Sequence, residues 1–64
     1  MKTKLADREI STVEINGLYE VAVKLTTEWL IIGSYDYARA IKEHKALETY
    51  SIEKIIFRLR YWRI

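Results

Sequence analysis

Asn16-Gly17 restricts the fold of this chain more than any other feature. It lies between two stretches rich in apolar and β-branched residues, 9–15 and 18–25, in a sequence with no proline and only one other glycine, Gly33. Asn-Gly at such a junction is the strongest short-range signal of a β-hairpin, because both residues tolerate the positive φ that tight turns require. Two turns fit. In a two-residue loop Ile15 opposes Leu18, Val13 falls beside Glu20 and Thr12 beside Val21, so both faces are mixed. A three-residue loop with Gly17 left-handed in a bulge shifts the register by one. Val13 then shares a face with Tyr19, Val21 and Val23, while Thr12 and Glu14 point out with Glu20 and Lys24. The cleaner separation favours the bulged turn, although it leaves Ile10 pointing outward.

After Thr26-Thr27, residues 28–33 read as a third strand, apolar on both faces as a covered or central strand would be. Ser34 or Asp36 can cap a following helix. Tyr37, Ala40, Ile41, His44 and Leu47 recur at spacings of three and four and form its apolar stripe. Arg39, Lys42, Glu43, Lys45 and Glu48 cover the other side, with Arg39 and Glu43 spaced for an i,i+4 ion pair.

The final segment, IIFRLRYWRI, fits two patterns. As a strand it places Ile55, Phe57, Leu59 and Tyr61 on one face and Ile56, Arg58, Arg60 and Trp62 on the other. As a helix, Ile52, Ile55, Ile56 and Leu59 form a stripe, but Phe57 and Tyr61 are left on the wet side. Aromatic and β-branched content favours the strand. The expected architecture is therefore a single small α+β domain spanning residues 1–64, ordered β-β-β-α-β. One helix packs on a mainly antiparallel sheet, and residues 1–7 are expected to be flexible.

Size and composition narrow the function. With 64 residues, an initial Met and no linker, the chain reads as one complete small domain. A domain of this size buries only ~60% of the surface its unfolded chain exposes. Half the residues are hydrophobic and eight are aromatic, more than such a core can readily hide, which points to a partner or a second copy. There is no cysteine, hence no disulfide or thiolate metal site, and one histidine does not make a zinc site. No secretory leader or membrane-length apolar run is visible, so a cytoplasmic protein is expected, in the host cytoplasm if phage-encoded.

No phosphate-binding glycine loop, nucleophile motif or metal-ligand spacing occurs, and no cofactor is expected. His44, the one side chain that titrates near neutrality, sits on the apolar stripe and reads as a structural, partly buried histidine. The expectation is a non-enzymatic protein-binding module, such as an adaptor or a phage or mobile-element inhibitor of a host protein. Its expected contact residues are Tyr35, Asp36, Arg58, Arg60 and Trp62, since Tyr, Trp and Arg dominate binding hot spots. In this reading Asp36 caps the helix, Tyr37 enters the core and Tyr35 is the exposed ring. A homodimer is compatible with it, as is strand addition at an unpaired sheet edge.

The alternative is nucleic-acid binding along the C-terminal segment. From Lys54 onward there are four basic residues and no acidic one. Arginines can hold phosphates and an exposed indole can stack on a base. The net charge of only +2 weighs against it.

Overall fold

The computed structural model describes the backbone of residues 1–62 and the side chains of residues 1–59. Four strands, β1 (Lys2–Lys4), β2 (Glu9–Ile15), β3 (Leu18–Lys24) and β4 (Trp29–Tyr35), are followed by helices α1 (Tyr37–Thr49) and α2 (Ile52–Trp62). The strands form one antiparallel meander in the order β1-β2-β3-β4. The chain is thus α+β, but ordered β-β-β-β-α-α instead of β-β-β-α-β. Residues 2–4, expected to be flexible, supply the additional first strand.

The hairpin forms where Asn16-Gly17 places it, with the shorter loop. Ile15 pairs directly with Leu18, and both loop residues have positive φ, 53° at Asn16 and 85° at Gly17. This is the two-residue turn whose twist matches that of the strands, so no bulge is needed at the turn. The register consequently differs by one residue from the expected one. Ile10 pairs with Val23 and Thr12 with Val21, all four buried, whereas Val13 and Ile15 lie on the opposite face. The outward Ile10 of the bulged alternative marked the error: a fully buried isoleucine is worth about 1.5–3 kcal/mol relative to an exposed one.

The bulge sits instead between β3 and β4. Val21 pairs with Gly33 and Ala22 with Ile31, leaving Ile32 without a partner and turned into the core. Two consecutive residues, Ile32 and Gly33, therefore oppose the same stretch of β3. Gly33 is required because the Tyr35 ring lies across it: a Cβ at this position would stand 2.6 Å from the Tyr35 hydroxyl. β4 runs two residues beyond the expected end, so Ser34 is in the strand and Asp36 alone caps α1, accepting from the Arg39 amide at 2.9 Å. Extension of the strand also exchanges the two tyrosines. Tyr35 is 7% exposed and Tyr37 62%, the reverse of the expectation. Tyr37 packs edge-to-face on Tyr19, ring centroids 5.2 Å apart.

α1 buries Ala40, His44 and Leu47 against the sheet, as its stripe implies. Its last turn has no basic residue of its own. Arg8, from the β1–β2 connection, fills that role by donating to the carbonyls of Leu47, at 2.7 Å, and Tyr50. Terminal carbonyls are thereby satisfied by a cation placed where the helix dipole favours it.

The final segment is helical, not a strand. Ser51 caps it, its side chain accepting from the Lys54 amide at 3.2 Å and its carbonyl from the Ile55 amide at 3.1 Å. Ile55 is fully buried and Leu59 packs against the core, which is the i,i+4 stripe. Phe57 is left exposed, the cost that had counted against a helix. Arg58 pairs with Glu43 of α1, and Lys54 and Arg58 both lie over the Tyr50 ring, at 4.2 and 6.0 Å. These tertiary attachments outweigh an aromatic-rich β preference that depends strongly on context. The expected Arg39–Glu43 pair does not appear; Arg39 stacks over Tyr35 instead, 4.8 Å from the ring centroid.

Gly33→Ala is expected to destabilise the fold by about 1–3 kcal/mol, the range for overpacking a filled site. Adding Tyr35→Phe should recover part of the loss, because the hydroxyl is the nearest obstacle. Chemical denaturation of the single and double variants checks both expectations.

Candidate functional site: the outer face of the sheet

Both helices lie on one side of the sheet, with the core of Ile10, Val21, Val23, Ile32, Tyr35, Ala40, Leu47 and Ile55 between the layers. Among the described residues no element covers the other side. The strand register fixes what that outer face displays. One cross-strand row is Lys4, Glu9, Lys24 and Trp29; the next is Lys2, Ser11, Ala22 and Ile31. Then come Val13, Glu20 and Ser34, and finally Ile15 beside Leu18 at the turn. Val13, Ile15, Leu18, Trp29 and Ile31 are each between 41% and 60% exposed. Five large apolar side chains thus share one face, Trp29 and Ile31 on β4 and Val13, Ile15 and Leu18 toward the turn, with Ala22 and Glu20 between them.

The face is also shaped. Small Ser11 and Ala22 form the floor of a shallow depression of about 400 Å³, rimmed by Lys2, Val13, Glu20, Trp29 and Ile31. Lys2 and Lys24 flank Trp29, their ammonium groups 5.8 and 5.9 Å from its ring centroid. Lys2 also pairs with Glu9 at 3.3 Å. The surroundings of Trp29 are therefore basic at one end of the face, while the turn end is apolar.

The residues anticipated as contacts are placed differently. Tyr35 is in the core and Asp36 is occupied as the α1 cap. Arg58 is engaged with Glu43 and Tyr50 on the helical side. Arg60 and Trp62 belong to α2 by their backbone, and their side chains lie outside the described residues. The structure does not assemble Tyr35, Asp36 and Arg58 into one exposed surface. The bulged-turn register places Val13 in the core and so hides the outer-face residues; the ordinary two-residue geometry of Asn-Gly exposes them.

His44 is buried, 1% exposed, at the centre of a polar chain. Its Nδ1 is 2.7 Å from Thr12 Oγ1 and its Nε2 2.9 Å from Thr3 Oγ1, while Thr3 Oγ1 donates to Glu48 Oε2 at 2.7 Å. Thr3 has one hydroxyl proton, and it goes to Glu48. It must therefore accept from His44, which places the imidazole proton on Nε2 and leaves Nδ1 to accept from Thr12. The chain links β1, β2 and α1 and is satisfied by a neutral histidine. It is architecture, with no opening onto the outer face. Among the described residues there is no cluster of three or more metal-ligating acids, histidines or cysteines, and no helix long and apolar enough to cross a membrane.

Burial holds the His44 pKa below its ordinary 6.5, the charge of Glu48 opposing this only in part. Between that depressed value and 6.5 the unfolded chain binds more proton than the folded one. Stability from this group is complete above pH 6.5 and is lost as pH falls below it. Denaturation midpoints measured across this range should decline with acidity, and His44→Gln should flatten the decline.

No protein-family model matches the chain, and neither a curated protein nor a solved structure shows significant similarity to it.

Proposed function

We propose that this chain is a small, non-enzymatic protein-binding module that docks through the outer face of its sheet. The observation that carries this reading is the gathering of Val13, Ile15, Leu18, Trp29 and Ile31 on a face that no described element covers. Apolar groups interspersed with charged ones are the ordinary composition of a protein interface, and tryptophan is among the residue types enriched at its hot spots. A module of this kind acts by occupying a surface of its target, as a small adaptor or inhibitor does. His44, the natural candidate for a catalytic base, is committed to Thr3 and Thr12 inside the fold, which supports binding over catalysis.

A second reading has an observation of its own. An exposed indole between two lysines resembles the platforms on which single-stranded nucleic acids stack. Glu9 and Glu20 on the same face oppose it.

Two measurements separate the readings. Titration with labelled single- and double-stranded oligonucleotides, from about 50 to about 300 mM salt, should show no binding that persists at physiological ionic strength. Persistent binding lost in Trp29→Ala would favour the nucleic-acid reading. A photo-crosslinking residue at position 31, introduced into the chain in its native cells, should yield discrete protein adducts. The same residue at position 45, on the outer side of α1, should not. Adducts at 45 and none at 31 would place the binding surface elsewhere.

A further inference from the structure

The protein-binding reading, on which this inference rests, leaves the occupant of the outer face unnamed, but the pattern on that face is complementary to itself. Consider two copies related by a two-fold axis that lies between the facing sheets, parallel to the strands, above the line separating β2 from β3. Each β2 then lies over the other copy's β3, and each β1 over the other's β4. From the pairing registers, Ile15 faces the partner's Leu18, and Glu9 faces the partner's Lys24. Lys4 faces the partner's Trp29. Every such contact occurs twice, as isologous association requires. Apolar meets apolar at the turn end, anion meets cation at the other end, and an ammonium meets an indole at the corners. Between them Val13 faces the partner's Glu20 and Lys2 the partner's Ile31, so the aliphatic stems of Glu20 and Lys2 lie along apolar groups with their charged ends at the margin. No like charges stand directly opposite.

We propose that a second copy of this chain covers the outer face, the two sheets stacking about this axis. Ser11 of one copy lies over the partner's Ala22, so the middle of the interface has two small residues on each side. Sheets that stack face to face pack at about 10 Å, their strand directions within about 30° of each other, with inner side chains interdigitating. The two depressions of about 400 Å³ face one another here, and the longer side chains of their rims, Lys2, Glu20 and Ile31, turn inward to fill them.

Three strands of seven residues and the three-residue β1, at ~4.8 Å spacing and ~3.4 Å per residue, give a face of roughly 400 Å². That is somewhat under a tenth of the chain's 4654 Å² of accessible surface and below the ~800 Å² per partner of standard complexes. Interfaces of this size belong to weak, transient contacts, so the dimer should be reversible.

The test is sedimentation equilibrium of the full chain over a micromolar-to-millimolar series, for wild type, Ile15→Lys, Leu18→Glu and an equimolar mixture of the two variants. Both positions are about half exposed beside the turn, so the fold tolerates a charge there; thermal melts verify it. The wild type should dimerise. Each variant alone should associate at least about tenfold more weakly, because it buries a lone charge. The mixture should regain dimerisation, since across the axis the introduced lysine faces the introduced carboxylate.

A wild type that stays monomeric at millimolar concentration would overturn the proposal. So would variants that dimerise as the wild type does, or a mixture that stays monomeric. The crosslink at position 31 separates this failure from that of the broader reading. Adducts to a different protein, with a monomeric wild type, reject the second copy and keep the binding face. No adduct of either kind rejects both.

Discussion

The structure turns on the hydrogen bond between Thr12 and His44. It is buried, 2.7 Å long, and joins the second strand to the first helix. A strand alternates its side chains with a period of two, so a slip of one residue would exchange its faces. With Thr12 directed at the imidazole, Ile10 must also point inward, and Val13 and Ile15 must point out. The opposite register would bury Val13 but leave His44 without its donor inside the core. An unsatisfied buried polar group costs about 1–3 kcal/mol, which adds to the cost of turning Ile10 outward. The same imidazole holds Thr3, and through it Glu48, so the short first strand is tied to the sheet and the helix together.

The exposed face follows from that choice. A sheet has two faces, and among the described residues both helices lie on one of them. α1 and α2 occupy the side where Ile10, Val21, Val23 and Ile32 gather. The register that satisfies His44 delivers Val13 and Ile15 to the other side, where they join Leu18, Trp29 and Ile31. The apolar patch proposed as the binding surface is thus a consequence of how the interior is satisfied. A small domain with surplus apolar side chains has few ways to hide them alone.

Legibility in the sequence varied with the range of the interactions involved. The helix stripe through Ala40, His44 and Leu47 was readable because its spacing is local, and the buried histidine followed from it. The hairpin is readable at Asn16-Gly17; face separation along two strands points to the wrong register, against the two-residue geometry of the turn, the inward Ile10 and the Thr12–His44 contact. The C-terminal segment is ambiguous for a related reason. Its side chains suit either state, and the outcome depends on Ser51 capping, on Ile55 reaching the core and on Glu43 receiving Arg58. The exchange of Tyr35 and Tyr37 came from a bulge in β4, which turns Ile32 inward and seats the Tyr35 ring over Gly33.

The sequence by itself determined that this is an α+β chain with a tight hairpin, a capped amphipathic helix and more apolar surface than one small core absorbs. Those properties arise from turn chemistry, periodicity and composition, which act between near neighbours. Tertiary structure alone decided which face of β2 is inside, whether the last segment is helix or strand, and where the surplus apolar groups come to rest. The first and third depend on Thr12 meeting His44, and the second on Ile55 reaching the core and Arg58 reaching Glu43, all contacts between residues distant in the chain. Local preferences on either side of such contacts are nearly balanced, so the long-range partner sets the result.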